Sequence, residues 1–533
     1  MPLPPTTSKA TTAVMVEAAT GEVTLLATVT AIATNVGITA PTGSTGMRLH
    51  VTFANWFASG TFVITGVGTP GNTETVNIPA PTLQQLQSPA LANFEYVSVN
   101  TYTSITNITT TGGMTGAQLT VKGIQGAKYN APTTAFKSNN PMGRYSANEF
   151  NGLSSRDKKL LATEVKGEIS AFDADWYGDL DEYWVYANCG SPSWVTLPAA
   201  PLSVVASATI TASMTIAGQP TAPGMKLIVV ASTFAAGATL TVVGLSYGIS
   251  TTEVITITGN GTFYSANTYS QITSIGGTTN ATTVVITGVF GWKGTVTSEA
   301  TRSSLAVEHF DGSASWVHPG FCATDSDFSV NPSGEAKLTM KGLCQDKLPI
   351  GDRTTNPLNV SRVAALGIPL ADLPAAGWQT QVYIDPITST AQTTPYTDPE
   401  GDIKIVLKTP SDAHWTYNNQ QEWTRVYAGK PECTVDLNTD IVSLLQYEQE
   451  RTNLKQYLVV ALIGEPIGFT GGVFYTKSWT WTLPVRYETY GQEAEPSKAN
   501  PYAKPKLRCE YDPVIGGAYQ LVIVTRNPPN YTA

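Results

Sequence analysis

A duplication constrains this chain more than any other feature of its sequence. Gly46-Met47-Arg48-Leu49-His50-Val51 returns as Gly224-Met225-Lys226-Leu227-Ile228-Val229. Asn100-Thr101-Tyr102-Thr103-Ser104-Ile105-Thr106-Asn107-Ile108 returns as Asn267-Thr268-Tyr269-Ser270-Gln271-Ile272-Thr273-Ser274-Ile275. A Gly-Gly pair follows each time, Gly112-Gly113 and Gly276-Gly277, and each copy closes on a strand-like run ending in glycine, Leu119 to Gly126 and Val284 to Gly291. Matched apolar, Tyr and Gly positions demand matched packing, so the copies, placed at 21–128 and 195–297, are expected to share one fold.

Both copies alternate apolar and small polar residues in short runs, as in Thr61-Phe62-Val63-Ile64-Thr65 and Glu253-Val254-Ile255-Thr256-Ile257. β-Branched residues dominate and turn residues recur about every eight to twelve positions, which is the rhythm of a β-sandwich. Tyr102 and Tyr269 recur at one position of the framework and read as core residues rather than sugar-stacking platforms. Trp56 has Phe234 as its counterpart, which again favours packing.

Composition narrows the function classes. Hydrophobic residues make up 42% of the 533 residues, ample for cores, but charged residues only 13%, against roughly 25% in a typical soluble domain. The polar surface is therefore built largely of Thr, Ser, Asn and Gln, as in β-rich extracellular or virion proteins. A net charge of −9 argues against a surface that grips nucleic acid, although it suits a channel through which DNA slides. Five scattered cysteines (Cys189, Cys322, Cys344, Cys433, Cys509) form no C-x-x-C pair, and the four histidines lie at no ligand spacing to them, so reduced, buried thiols are expected and zinc is not. The N-terminal stretch lacks the basic and apolar regions of a secretory signal, so a product made in the cytoplasm is expected. The uncharged stretch from Leu227 to Thr252 is broken by polar residues and glycines and reads as two buried strands with a turn, with no membrane partner.

The rest of the chain, 129–194 and 298–533, is interrupted by the second copy, whose exits are Ser191-Pro192-Ser193 and Thr295-Val296-Thr297-Ser298. An insertion this large must leave from a surface loop with close ends. Leu161 to Ser170 alternates as a strand. Leu180, Tyr183, Trp184 and Ala187 then follow at helical spacing, with acids in the first turns and Gly190 as a stop, predicting a short amphipathic helix packed on a sheet. Ser304 to Gly312 is a strand into an Asp-Gly turn, and two further strands end at Gly342. The C-terminal part repeats this theme: strands at Gln381–Pro386 and Asp402–Leu407, a helix opening at Thr439-Asp440 with Ile441, Leu444, Leu445 and Glu448, then strands at Tyr457–Gly464, Trp479–Val485 and Gly517–Val524.

This order of elements resembles the major tail tube proteins of long-tailed, non-contractile bacteriophages: a strand pair, a short helix ending in Gly, a hairpin with Asp311-Gly312, and a closing stretch with Gly334-Glu335 and Leu338 to Gly342. The likeness covers roughly 155–345 outside the insertion. It implies an all-β chain of antiparallel β-sandwich or tube domains with short flanking helices, plus the two duplicated β-sandwich modules. The expected division is an N-terminal arm at 1–20, modules at 21–128 and 195–297, a first tube-like domain at 129–194 plus 298–345, and a second at 346–533. The resemblance further implies a homo-oligomer, read as a trimeric, pseudo-hexameric ring stacked into a tube, with a hexamer as the alternative. Tape-measure and tail-end proteins would be its partners in the virion. DNA would pass through the lumen, whose wall lacks net positive charge, without specific binding.

No catalytic constellation emerges. His50, His309, His318 and His414 adjoin no nucleophile motif, and there is no G-x-S-x-G, P-loop or H-E-x-x-H. Asp325-Ser326-Asp327 and the acids from Asp173 to Glu182 fit no EF-hand spacing, and the second group already serves as a helix start. Two distant carboxylates of a glycosidase leave no spacing signal, but low charge, duplication and the tube pattern all weigh against one. The sequons at Asn107 and Asn280 carry no weight in a bacterial host. The reading is a non-enzyme with no catalytic, cofactor-binding or metal residues and no cofactor. The alternative is a surface adhesin or glycan-binding protein with duplicated modules.

Overall fold

A computed structural model describes residues 11–30, 47–54, 59–69, 73–78, 93–112, 118–139, 142–151, 154–165, 167–179, 181–257, 259–302, 304–310, 314–344, 348–352, 375–388, 392, 394–396, 401–414, 425–429, 431–440, 448, 451–493 and 502–527. Strands account for 68% and helix for 4%, so the chain is all-β, built of several antiparallel sheets. The local cause is two-residue alternation: along Thr239–Ser246 every second residue, beginning with Leu240, is buried.

The second copy is a sandwich of two sheets. Leu202–Thr209, Thr283–Val289, Met225–Thr233 and Gly261–Tyr269 form one, and Ile249–Thr256, Thr239–Ser246 and Gln271–Gly276 the other. Leu227, Val229, Leu240, Val242, Tyr269, Ile272 and Ile286 fill the space between them. The first copy repeats these pairings residue for residue. Met47 faces Tyr102, and Met225 faces Tyr269, and in each copy a bulge interrupts the ladder one residue later. Leu49 opposes Gly123 as Leu227 opposes Gly288. A second shared bulge sits at Gly66 and Gly244, where a Cβ would collide with the carbonyl oxygens of Ser104 and Gln271. Both tyrosine rings are fully buried, as their recurrence implies. One difference stands out: Asn93–Gly112 runs unbroken through both layers, whereas its counterpart breaks at Ser270. Phe234 is half-buried against its core, and Trp56 lies outside the described residues.

Neither module hangs on a loop. Each stands on a two-stranded stalk that joins a ladder of the remaining chain. In the first, residues 11–17 pair with 126–132, and Ala13–Val16 also pair with Leu305–Glu308. In the second, Ser193–Leu197 pair with Gly291–Thr295, and Trp292–Thr297 pair with Gln520–Thr525. The expected boundaries therefore move. Of the arm expected at 1–20, residues 1–10 lie outside the described residues, and 11–20 belong to the strand Thr11–Thr30, which crosses position 21. Residues 195–197 and 291–297 belong to the host ladder, leaving about 198–290 as the inserted module.

The host is one body with one core. Its ladder runs from 133–139 through Gly167–Asp175, Lys337–Cys344, 322–330, Ile403–Lys408 and Glu432–Asp436 to Tyr502–Cys509. The long strand Val473–Glu493 pairs with Tyr502–Cys509 at its far end. At its near end it pairs with Gln456–Thr470 and Gln520–Thr525, and so carries the ladder into the facing layer. Phe172, Trp184, Leu338, Ile405, Val435, Leu458, Trp481 and Tyr519 share a single contiguous cluster. The stretches expected as two tube-like domains, 129–194 plus 298–345 and 346–533, contribute two consecutive blocks of strands to this ladder, joined where 325–330 pair with Ile403–Lys408, and residues of both share the one core.

The helix Glu182–Asn188 lies against this core. It is buried on every side rather than amphipathic. Trp184 packs at ring distances of 5.6 Å and 6.1 Å against Trp479 and Trp481, and its Nε1 donates to the Thr339 carbonyl at 3.0 Å. Gly190, at φ +95°, ends the helix by donating its N–H to the Val185 carbonyl. The second expected helix opens differently, since Thr439–Asp440 is a short strand paired with Tyr502–Ala503, and 441–447 lie outside the described residues. The expected strand from Leu161 to Ser170 is two elements: Ser154–Val165 and Gly167–Asp175 belong to different sheets. Asp311-Gly312 lie outside the described residues, after the strand Leu305–Phe310.

Candidate functional site: a buried joint and unpaired surfaces

The acids ahead of the helix build a joint rather than a cation site. Asp181 accepts the N–H groups of Tyr177 and Gly178 on Oδ2, both at 2.6 Å, which folds the turn that launches the helix. Its Oδ1 has no hydrogen-bond partner, and burial pushes the carboxyl up to about 7 against the opposing pull of those two amides. Asp179 is ionically paired instead. Lys477 Nζ lies 2.6 Å from Asp179 Oδ2, with both side chains almost fully buried. Asp179 Oδ1 accepts Thr525 Oγ1 at 2.9 Å and the Arg526 N–H at 2.7 Å, while Asn527 Nδ2 donates to the Asp179 carbonyl at 2.9 Å. This pairing joins the start of the helix, the strand Val473–Glu493 and the end of the last strand.

The inserted module locks onto the same joint. Arg526 donates to Tyr247 Oη and lies 5.6 Å from that ring's centroid. Tyr264 packs edge-on to Trp292 of the stalk at 5.9 Å. Inside the module, Lys226 donates to the Ser265 and Ala266 carbonyls at 3.2 Å and 2.5 Å, and burial pulls its ammonium down to about 8. These are clamps on the bulged strand. The module is fixed in orientation and presents no reactive group there.

The remaining titratable candidates are also structural. Asp173 and Asp327 flank Thr339 on neighbouring strands. Burial raises Asp173, with Asp327 adding to the effect, while Lys404 pairs with Asp327 at 3.1 Å. No group of three or more His, Cys, Asp or Glu among the described residues is arranged to hold a metal ion. His309 stacks on Phe136 at 4.3 Å, next to His318, both buried. His50 lies on a different strand, Met47–Ala54, and His414 on a separate two-stranded sheet. Of the five cysteines, Cys322 is half-buried and the others are buried, and burial lifts the Cys189 thiol to about 12, where it is no nucleophile at neutral pH. No helix among the described residues is long and apolar enough to cross a membrane.

Two surfaces have no strand or packing partner among the described residues. Met142–Asn151 and Ser154–Val165 pair only with each other in the described ladders, forming a ribbon of 10 and 12 residues, or roughly 35 Å of paired backbone. The hairpin between Gln456–Thr470 and Val473–Glu493 turns at Gly471-Gly472. At its tip Phe469 and Phe474 are 46% and 72% exposed with ring centroids 4.4 Å apart, and Val473 is 52% exposed. Its base rests on the end of the second module, where Phe290, just before the stalk strand, packs over Gly468 and lies 6.1 Å from Tyr475. Sequence reasoning missed this finger. The Phe-Thr-Gly-Gly-Val-Phe run was its visible signal.

A separate cleft of about 500 Å³ is lined by Trp378, Val382, Tyr383, Tyr396 and Ile403 among others, none of them charged. No protein-family model matches the chain, and no curated protein is similar to it at a significant level.

Proposed function

We propose that this chain is a self-assembling structural subunit, the tail tube protein of a long-tailed bacteriophage, and not an enzyme. The observation that carries the reading is the pair of surfaces that, among the described residues, have no partner on an all-β body with a shared core. An isolated two-stranded ribbon is marginal in water, and open strand edges and exposed apolar tips pair with other chains. A ring of identical subunits supplies such partners at every joint and closes the edges. In the virion, stacked rings would enclose a lumen for genome DNA, with tape-measure and tail-end proteins as neighbours and the modules projecting outward. The net charge of −9 suits a wall along which phosphates pass without tight contacts.

The trimeric ring rested on two tube domains per chain. A single shared core supports one tube unit per chain, so six chains per ring is the count we propose. Cryo-electron microscopy of the purified protein tests both points: stacked rings or tubes with sixfold symmetry are expected, whereas a monodisperse monomer at high concentration would remove the assembly reading.

A second reading, glycan binding, is favoured by one observation, the uncharged cleft beside Trp378, whose ring is 75% exposed. Aromatic faces of this kind stack on sugar rings. Saturable binding on a glycan array, lost in Trp378→Ala, would favour an adhesin.

A further inference from the structure

The strands Glu432–Asp436 and Tyr502–Cys509 run antiparallel with Thr434 opposite Arg508 and Val435 opposite Leu507. One step further along the same register, Cys433 stands opposite Cys509. Side chains alternate faces along a strand, and Val435 and Leu507, two residues away, both point into the core. The two cysteines therefore share that inner face, and both belong to the same buried cluster. Directly opposed residues in an antiparallel pair have Cα atoms about 4.5–5.5 Å apart, inside the about 4.4–6.8 Å window of a disulfide. The thiols already interact: hydrogen bonding with Cys509, then burial, pushes the Cys433 thiol well up. They are also reachable, because both line an open cleft of about 410 Å³ together with Pro431, Glu432, Arg508 and Tyr511.

We infer that Cys433 and Cys509 are a latent cross-strand disulfide, reduced in the folded chain and closed by thiol–disulfide exchange with a low-molecular-weight disulfide. The thiolate of one of the two attacks the small disulfide, forming a mixed disulfide and releasing one small thiol. The facing cysteine then displaces the second small thiol, its proton leaving with that product. Two protein thiols are oxidised, one S–S bond forms, and the small disulfide is reduced to two thiols. The bond ties the strand Glu432–Asp436 to Tyr502–Cys509 across a loop that contains the exposed finger, so the chain could fold reduced and be locked afterwards.

The test uses the folded, full-length protein, reduced and then incubated with oxidised glutathione at pH 8. Remaining thiols are alkylated under denaturing conditions and the chain is digested for mass spectrometry. The expected result is a peptide pair linked through Cys433 and Cys509, no lasting glutathione on either, and a higher unfolding temperature that dithiothreitol reverses. In Cys433→Ser the same treatment leaves glutathione trapped on Cys509. Complete alkylation of Cys433 and Cys509 after oxidation, or glutathione retained on Cys509 in the unmodified sequence, overturns the inference. Cys189→Ser, which removes the nearest other buried thiol, leaves the link unchanged; a link that instead forms through Cys189 also overturns it.

Discussion

Tyr269 Oη donates to Glu253 Oε2 at 2.9 Å, and the same bond recurs in the first module, where Tyr102 Oη donates to Glu74 Oε2 at 3.4 Å. Glu253 does more than hold the phenol. It accepts the N–H groups of Ala266 and Asn267 at 2.6 Å and 3.1 Å and the Asn267 amide at 3.0 Å, so it pins the bulge of the strand that carries Tyr269. Ser265 and Ser98 complete the device, accepting the Leu227 and Leu49 N–H groups at 2.9 Å and 2.8 Å. A recurring sequence pattern is thus a recurring clamp on an irregular piece of backbone.

Removing the phenolic hydroxyl tests that clamp. Tyr269→Phe is expected to destabilise its module by about 1.5–3 kcal/mol, the range for a hydrogen bond to a charged acceptor. Tyr102→Phe is expected to cost less, because its bond is longer. Hydrogen exchange followed by mass spectrometry should show faster exchange at Ala266 and Asn267 in the first variant. Unchanged protection there would show that the tyrosine only fills space.

Two deletions separate the inserted module from its stalk. Removing 198–290 and joining Leu197 to Gly291 through a short turn keeps the stalk pair and its ladder to Gln520–Thr525. That variant should stay folded, because the module carries its own core and a hairpin closes at little entropic cost. Removing 195–297 instead takes away the strand that pairs with Gln520–Thr525 and the buried Val296, and should give insoluble protein. Equal solubility of the two would put the stalk outside the host fold.

The buried ion pair should be unforgiving of half its removal. Lys477→Met leaves the Asp179 carboxylate buried without its counter-charge and is expected to cost about 3–5 kcal/mol. Lys477→Met with Asp179→Asn should cost less than the single change, a coupling that chemical denaturation of the single and double variants reads directly.

Asp181 gives the chain a pH signature. Its folded pKa of about 7 lies above the ordinary carboxyl value of 3.8. The protonated form is therefore favoured by folding: the contribution is full below pH 3.8 and is lost as pH rises through 7. Asp181→Asn keeps an oxygen for the Tyr177 and Gly178 amides and should flatten this fall, gaining about 1–3 kcal/mol over the parent at pH 8. Unfolding curves at pH 4 and pH 8 check it, and a parallel loss at both values would refute the assignment.

The finger bears on assembly. Phe474→Asp places a charge on an exposed tip that supports no core, so the unfolding temperature should be unchanged. Sedimentation should nonetheless show fewer rings or tubes than the parent at equal concentration. Undiminished assembly would move the contact away from this tip.

What the sequence determined by itself was the strand-forming pattern and the repetition. Alternation of β-branched and polar residues sets which face of a strand turns inward, and twin motifs such as Met47 to Val51 and Met225 to Val229 require twin registers down to their bulges. Gly190 marked the helix end correctly for the same local reason, a positive φ that glycine adopts without strain. Tertiary structure alone decided which strands share a core. Hydrogen bonding between strands carries no sequence signature at long range, so Ile403–Lys408 could not be seen pairing with 325–330 across some seventy residues, nor the two expected tube domains sharing one core. It also overrode the helical spacing of the first helix, whose polar Glu182 and Asn188 are buried along with the rest of its residues. The ionic joint at Asp179 and Lys477 and the facing pair Cys433 and Cys509 were invisible for the same reason: each brings together residues that neighbour one another only after the ladder has formed.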